Sequence, residues 1–121
     1  MPFSGEGTKS TTLPLAAGRV TFWTDLDLAY EGPATLGYRI ELSQAGRTVA
    51  TANCDSLDHF ALKLGWLDIE HGASHSSRGR ARMQCAASLA TGGPTLVKAT
   101  LAFGVRPLSA TFKQADLLLK Q

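Results

Sequence analysis

The chain has 121 residues, 44% of them hydrophobic and 18% charged, enough for one domain that buries about two-thirds of the surface its unfolded form exposes. No apolar run approaches the ~20 residues of a membrane-spanning helix, and the apolar fraction is that of a soluble globular chain rather than a disordered one. Twelve Lys plus Arg against ten Asp plus Glu leave a net charge of +2, too small a surplus to point to nucleic acid or an acidic membrane as partner.

The first nine residues, MPFSGEGTK, hold neither a basic start nor an apolar run, so no secretory leader is visible and the cytoplasm is the expected compartment. Their Gly, Ser and Thr content predicts a flexible tail over 1–9, ahead of a single domain over 10–121. From there apolar and polar residues alternate at period two, and no window keeps a helical stripe, so the chain reads as all-β. Pro14 marks the segment 10–16 as an edge strand, because proline cannot donate to a neighbour's ladder. Over 19–30, Val20, Phe22, Leu26, Leu28 and Tyr30 share one face, while Thr21, Trp23, Asp25, Asp27 and Ala29 share the other. Leu36, Tyr38, Ile40 and Leu42 make the inward face of the next strand, over 36–43. With 31–35 as a hairpin loop, Leu28 would oppose Tyr38 and Leu26 would oppose Ile40 inside, leaving Asp27 opposite Arg39 and Asp25 opposite Glu41 outside.

Ala45-Gly46 predicts a tight turn into a strand over 47–53. A two-residue loop would turn Val49 inward, whereas a three-residue loop with a bulge would turn Thr48, Ala50, Ala52 and Cys54 inward. Residues 54–58 read as a turn, 60–69 as a strand interrupted by Gly65, and 71–79 as a Gly, Ser and His loop. Strands follow over 80–89, 95–103 and 108–119, separated by Thr91-Gly92-Gly93-Pro94 and Val105-Arg106-Pro107. About eight strands with turn signals between them predict a two-sheet antiparallel β-sandwich. Cys54 and Cys85, with no C-x-x-C spacing, are expected as buried free thiols in a reducing compartment, a disulfide being the alternative.

Chemistry-bearing residues fall into five groups. Trp23, Asp25, Asp27, Arg39 and Glu41 would line the outer face of the first hairpin, where an aromatic ring flanked by carboxylates and a guanidinium suits a glycan or the polar rim of a protein partner. The competing reading has Trp23 covered by the N-terminal strand or a loop. Arg78, Arg80 and Arg82 alternate and so share a face that could meet phosphate or an acidic surface, although without interleaved aromatics they make no nucleic-acid groove. Asp25, Asp27, Asp55 and Asp58 supply carboxylates for calcium but no dense ligand loop, and Asp68, His71 and His75 offer three zinc-type ligands in a loop where spacing carries no geometry. Ser74 and Ser76 beside His75 lack the strained elbow of a serine nucleophile. No cofactor or metal is expected.

The segment Ala115-Asp116-Leu117-Leu118-Leu119 is apolar on both alternating faces, which suggests cover on both sides and an oligomer interface through the C-terminal strand. Together these features describe a non-catalytic binding or assembly module for a protein or glycan partner, with Trp23, Asp25, Asp27, Arg39, Glu41, Arg78, Arg80 and Arg82 as the ligand-binding set. The rivals are a structural subunit of a larger homo- or hetero-oligomeric complex and a metal-dependent protein using the 68–75 segment.

Overall fold

A computed structural model describes residues 1–57 and 62–121. Among the described residues nine strands run in order: β1 (Pro2–Phe3), β2 (Gly7–Leu15), β3 (Gly18–Glu31), β4 (Leu36–Gln44), β5 (Arg47–Asp55), β6 (Leu62–His71), β7 (Ser74–Leu89), β8 (Gly93–Phe103) and β9 (Ser109–Lys120). They form a five-stranded sheet, β1-β9-β3-β7-β6, and a four-stranded sheet, β2-β8-β4-β5, with every pairing antiparallel. The two layers pack face to face as the expected β-sandwich. The core is what alternation demands: Val20, Phe22, Leu26 and Leu28 from one sheet meet Leu36, Tyr38, Ile40 and Leu42 from the other, all essentially without solvent contact. No helix among the described residues is long and apolar enough to cross a membrane.

The neighbours of β3 differ from the expectation. β3 pairs with β7 and β9, while β4 pairs with β5 and β8, so 31–35 crosses between the sheets instead of closing a hairpin. That crossing is held from outside. The Gly32 N–H donates to Ala73 O at 2.8 Å and the Thr35 N–H to Val105 O at 3.1 Å. Alternation dictates which side chains point inward but says nothing about which strand lies alongside, and both arrangements bury the same residues.

Three local expectations also change. The segment 1–9 is built into the fold: β1 pairs with β9, Phe3 is buried edge-on to Tyr38 with ring centres 5.4 Å apart, and β2 starts at Gly7. Glu6 ties the same segment to the far end of β8, accepting from the Phe103 N–H at 2.8 Å and from Arg106 at 3.0 Å. Those two partners, the amide first, hold the Glu6 carboxyl below its ordinary pKa. The 71–79 loop is instead the tip of a hairpin, with His71 paired to Ser74. Of the strand expected over 60–69, the residues before Leu62 lie outside the described ones.

The turn after β4 combines the two alternatives. Gln44 pairs with Arg47 across a two-residue loop in which Ala45 and Gly46 have φ of 50° and 78°. The register then shifts between Leu42↔Ala50 and Ser43↔Thr48, expelling Val49, which is 46% exposed, and turning Ala50, Ala52 and Cys54 toward the core. Facing inward, Cys54 reaches Cys85 of β7, and the two form a disulfide with Cα atoms 5.4 Å apart. The expectation of free thiols is thereby overturned: cysteines in different sheets have a sequence spacing that says nothing about their distance.

Candidate functional site

The outer face of the five-stranded sheet brings two of the sequence groups together. β3 sends Val20, Phe22, Thr24, Leu26 and Leu28 inward, so Trp23, Asp25 and Asp27 must point outward. On β7, buried Ala81 and Met83 put Arg78, Arg80 and Arg82 on that same side. The antiparallel register sets them opposite one another as Trp23↔Arg82, Asp25↔Arg80 and Asp27↔Arg78. β9 completes the rows with Leu118 beside Trp23, Asp116 beside Asp25 and Gln114 beside Asp27. The result is a ladder of alternating charge and aromatic character three strands wide.

Within it, Arg80 Nη2 donates to Asp25 Oδ2 at 2.9 Å. The indole of Trp23 lies beneath Lys120, whose Nζ is 4.1 Å from the ring centre, and the residue is only 8% exposed. β9 therefore supplies cover for Trp23, and the ring is a floor, not an open stacking platform. Lys120 went unnoticed in the sequence because nothing there places β9 beside β3. At the β6 margin of the face, Leu67 and Ile69 are 41% and 52% exposed.

Arg39 and Glu41 do not join this set. They sit on β4, on the outside of the other sheet, 3.7 Å apart as an ion pair, and border a cavity of about 180 Å³ with Lys98 and Thr100. The crossing of 31–35 separates them from Trp23. In the C-terminal strand, Leu117 is buried in the core, Leu119 packs against it, and Leu118 lies half-buried on the outer face beside Trp23.

The metal and nucleophile groups are dispersed. Asp25 is engaged by Arg80, Asp55 lies on β5 of the other sheet and accepts from the Leu57 N–H at 2.9 Å, and Asp58 falls outside the described residues. Asp68 accepts from Ser77 Oγ at 2.7 Å, and His75 stacks on Tyr30 with ring centres 4.9 Å apart. By strand alternation His71 points to the opposite side from Asp68, and Ser74 and Ser76 to the opposite side from His75. Among the described residues no group of three His, Cys, Asp or Glu could hold a metal ion.

Two buried hydroxyls stand out at the core: Thr24 Oγ1 and Tyr38 Oη lie close enough to influence one another but form no well-aligned hydrogen bond among the described residues. Burial pushes the Tyr38 phenol well above its ordinary pKa, the neighbouring Thr24 hydroxyl offsetting part of the shift and the charge of Asp116 adding to it.

Comparison with protein-family models, with curated proteins and with solved structures finds no match to this chain.

Proposed function

We propose that the chain is a non-catalytic binding module that engages a protein partner through the outer face of its five-stranded sheet. The observation that carries this reading is the register placing Arg82, Arg80 and Arg78 opposite Trp23, Asp25 and Asp27. Such a ladder presents both signs of charge at fixed spacing, and the exposed Leu67 and Ile69 at its margin add the apolar area that a protein interface buries at its centre. A glycan is the weaker fit for this face, because the Trp23 ring that would stack on a sugar is already beneath Lys120. The Cys54–Cys85 bridge favours a non-reducing compartment over the cytoplasm expected from the sequence.

The test is chemical crosslinking of the chain in its native source, followed by mass spectrometry, beside the double variant Ile69→Asp/Arg78→Glu and a glycan array. Support is a partner crosslinked through β6 and β7 to the wild type and lost from the variant, whose melting temperature stays unchanged. Crosslinks that map instead to the Arg39 and Glu41 face, or that survive in the variant, would refute it. So would a glycan hit with no protein partner.

A further inference from the structure

β7 is irregular where it passes Phe22. From Thr21↔Ala86 to Trp23↔Arg82, β3 advances two positions while β7 advances four. Residues 83–85 thus have no register partner on β3, and β6, whose pairing ends at Leu62↔Arg82, gives them none on the other side among the described residues. Bulges of this kind open a sheet locally and re-aim the side chains around them. Here the opening is a cavity of about 340 Å³, lined by Arg19, Arg82, Gln84 and Ala86 together with Met83 and Cys85.

Among the described residues its charge is uncompensated. Arg80, one outward position along β7, is neutralised by Asp25, and Arg106 and Arg39 have Glu6 and Glu41. Arg19 is set opposite Ser88 and Arg82 opposite Trp23, and among the described residues neither has a carboxylate within ion-pair distance. Lys120, over the Trp23 ring, adds a third cation nearby. Two guanidiniums on adjacent strands, with the Gln84 amide lining the same cavity, form a donor set for an oxyanion, since each guanidinium can present paired N–H groups to two oxygens.

We propose that this bulge pocket binds a sulfate or phosphate group, either free or carried on a sugar. The pocket shares only Arg82 with the proposed partner face and holds or fails independently of it. A single-stranded nucleic acid, the other bearer of such groups, is disfavoured because among the described residues no aromatic lines the pocket and Trp23, opposite Arg82, is too buried to stack on a base.

Isothermal titration of the full chain at low ionic strength tests this with sodium sulfate, sodium phosphate, a trisulfated heparin-type disaccharide and a thymidine oligonucleotide. The expected result is saturable binding of an inorganic anion or the disaccharide, weakened roughly tenfold or more by Arg19→Gln and by Arg82→Gln, as loss of a charge-assisted hydrogen bond implies. Arg47→Gln, a change in the turn on the other sheet, should leave it unchanged, and unaltered melting temperatures show that the variants fold. Tighter binding of the disaccharide than of both ions identifies a sugar-borne group, and the reverse order a free anion. The proposal is overturned if no anion gives saturable heat, if the Arg19 and Arg82 variants bind as wild type, or if the oligonucleotide binds most tightly.

Discussion

Trp23 faces outward yet is sealed by its neighbours, and this decides how its removal should read. Trp23→Ala strips a large ring from beneath Lys120 and from beside Leu118. We expect a loss of about 3 kcal/mol in urea unfolding, in the range of large-to-small changes at buried sites. An unchanged midpoint would mean that the ring is not part of the packed structure. Tyr38 is the opposite case, because its phenol is buried with no well-aligned hydrogen bond among the described residues. Tyr38→Phe keeps the ring against Phe3 and removes a poorly bonded hydroxyl beside Thr24, so stability should stay within about 1 kcal/mol of wild type. The same substitution should alter the alkaline limb. The folded phenol keeps its proton above the ordinary value of 10.0, so the unfolded state releases a proton first and stability falls as pH rises beyond that value. Unfolding followed from pH 9 to 11 should show a shallower decline in Tyr38→Phe, and identical slopes would contradict the assignment.

At the scale of elements, irregular positions shape the molecule as much as regular ones. Where β6 passes β7, the register runs from Leu64↔Arg80 to Leu67↔Arg78, an extra residue on β6 that brings its backbone onto Gly79. A Cβ on Gly79, whose φ is 134°, would lie 2.6 Å from Trp66 Cα and 2.7 Å from Gly65 O. Both obstacles are near or in the backbone and cannot swing aside, so Gly79→Ala should cost more than about 1 kcal/mol and free β6 from the sheet. Hydrogen exchange would register this as lost protection confined to β6 and the adjoining part of β7. Protection equal to wild type would show that the close approach is relieved cheaply. The bulges also explain where sequence reading stops. The inward sets on β3 and β4 follow from period-two alternation, because a buried face must be apolar whatever lies beside it. The four-against-two step opposite Phe22 leaves that alternation intact on either side, so nothing in the residue pattern announces it, whereas the Ala45-Gly46 turn signals a bulge as one of two arrangements without placing it at Val49.

For the whole molecule, the fold class was legible and the arrangement of strands was not. Joining β3 to β4 as a hairpin or sending them to different sheets buries Leu26, Leu28, Tyr38 and Ile40 equally well, and only long-range pairing with β7, β8 and β9 separates the two. The same choice determines the candidate site. It removes Arg39 and Glu41 from the Trp23 face and supplies Arg78, Arg80 and Arg82 in their place. The cystine between the layers gives a measurable whole-molecule effect. Closing a loop across a separation of 31 residues should stabilise the fold by roughly 3–4 kcal/mol through the unfolded chain, so reduction, or Cys54→Ala/Cys85→Ala, should lower the urea midpoint accordingly. A midpoint indifferent to reductant would show that the layers hold together without the bond.

That bond also divides the chain mechanically. It fastens β5, at the margin of one layer, to β7, inside the other, and so encloses β6 and its hairpin in a covalent ring. Tension applied to the two ends would bypass the ring through the sulfurs, and the polypeptide between Cys54 and Cys85 would never be drawn out. A fully stretched oxidised chain should therefore be shorter than its reduced counterpart by about 100 Å, the extended length of the sequestered segment.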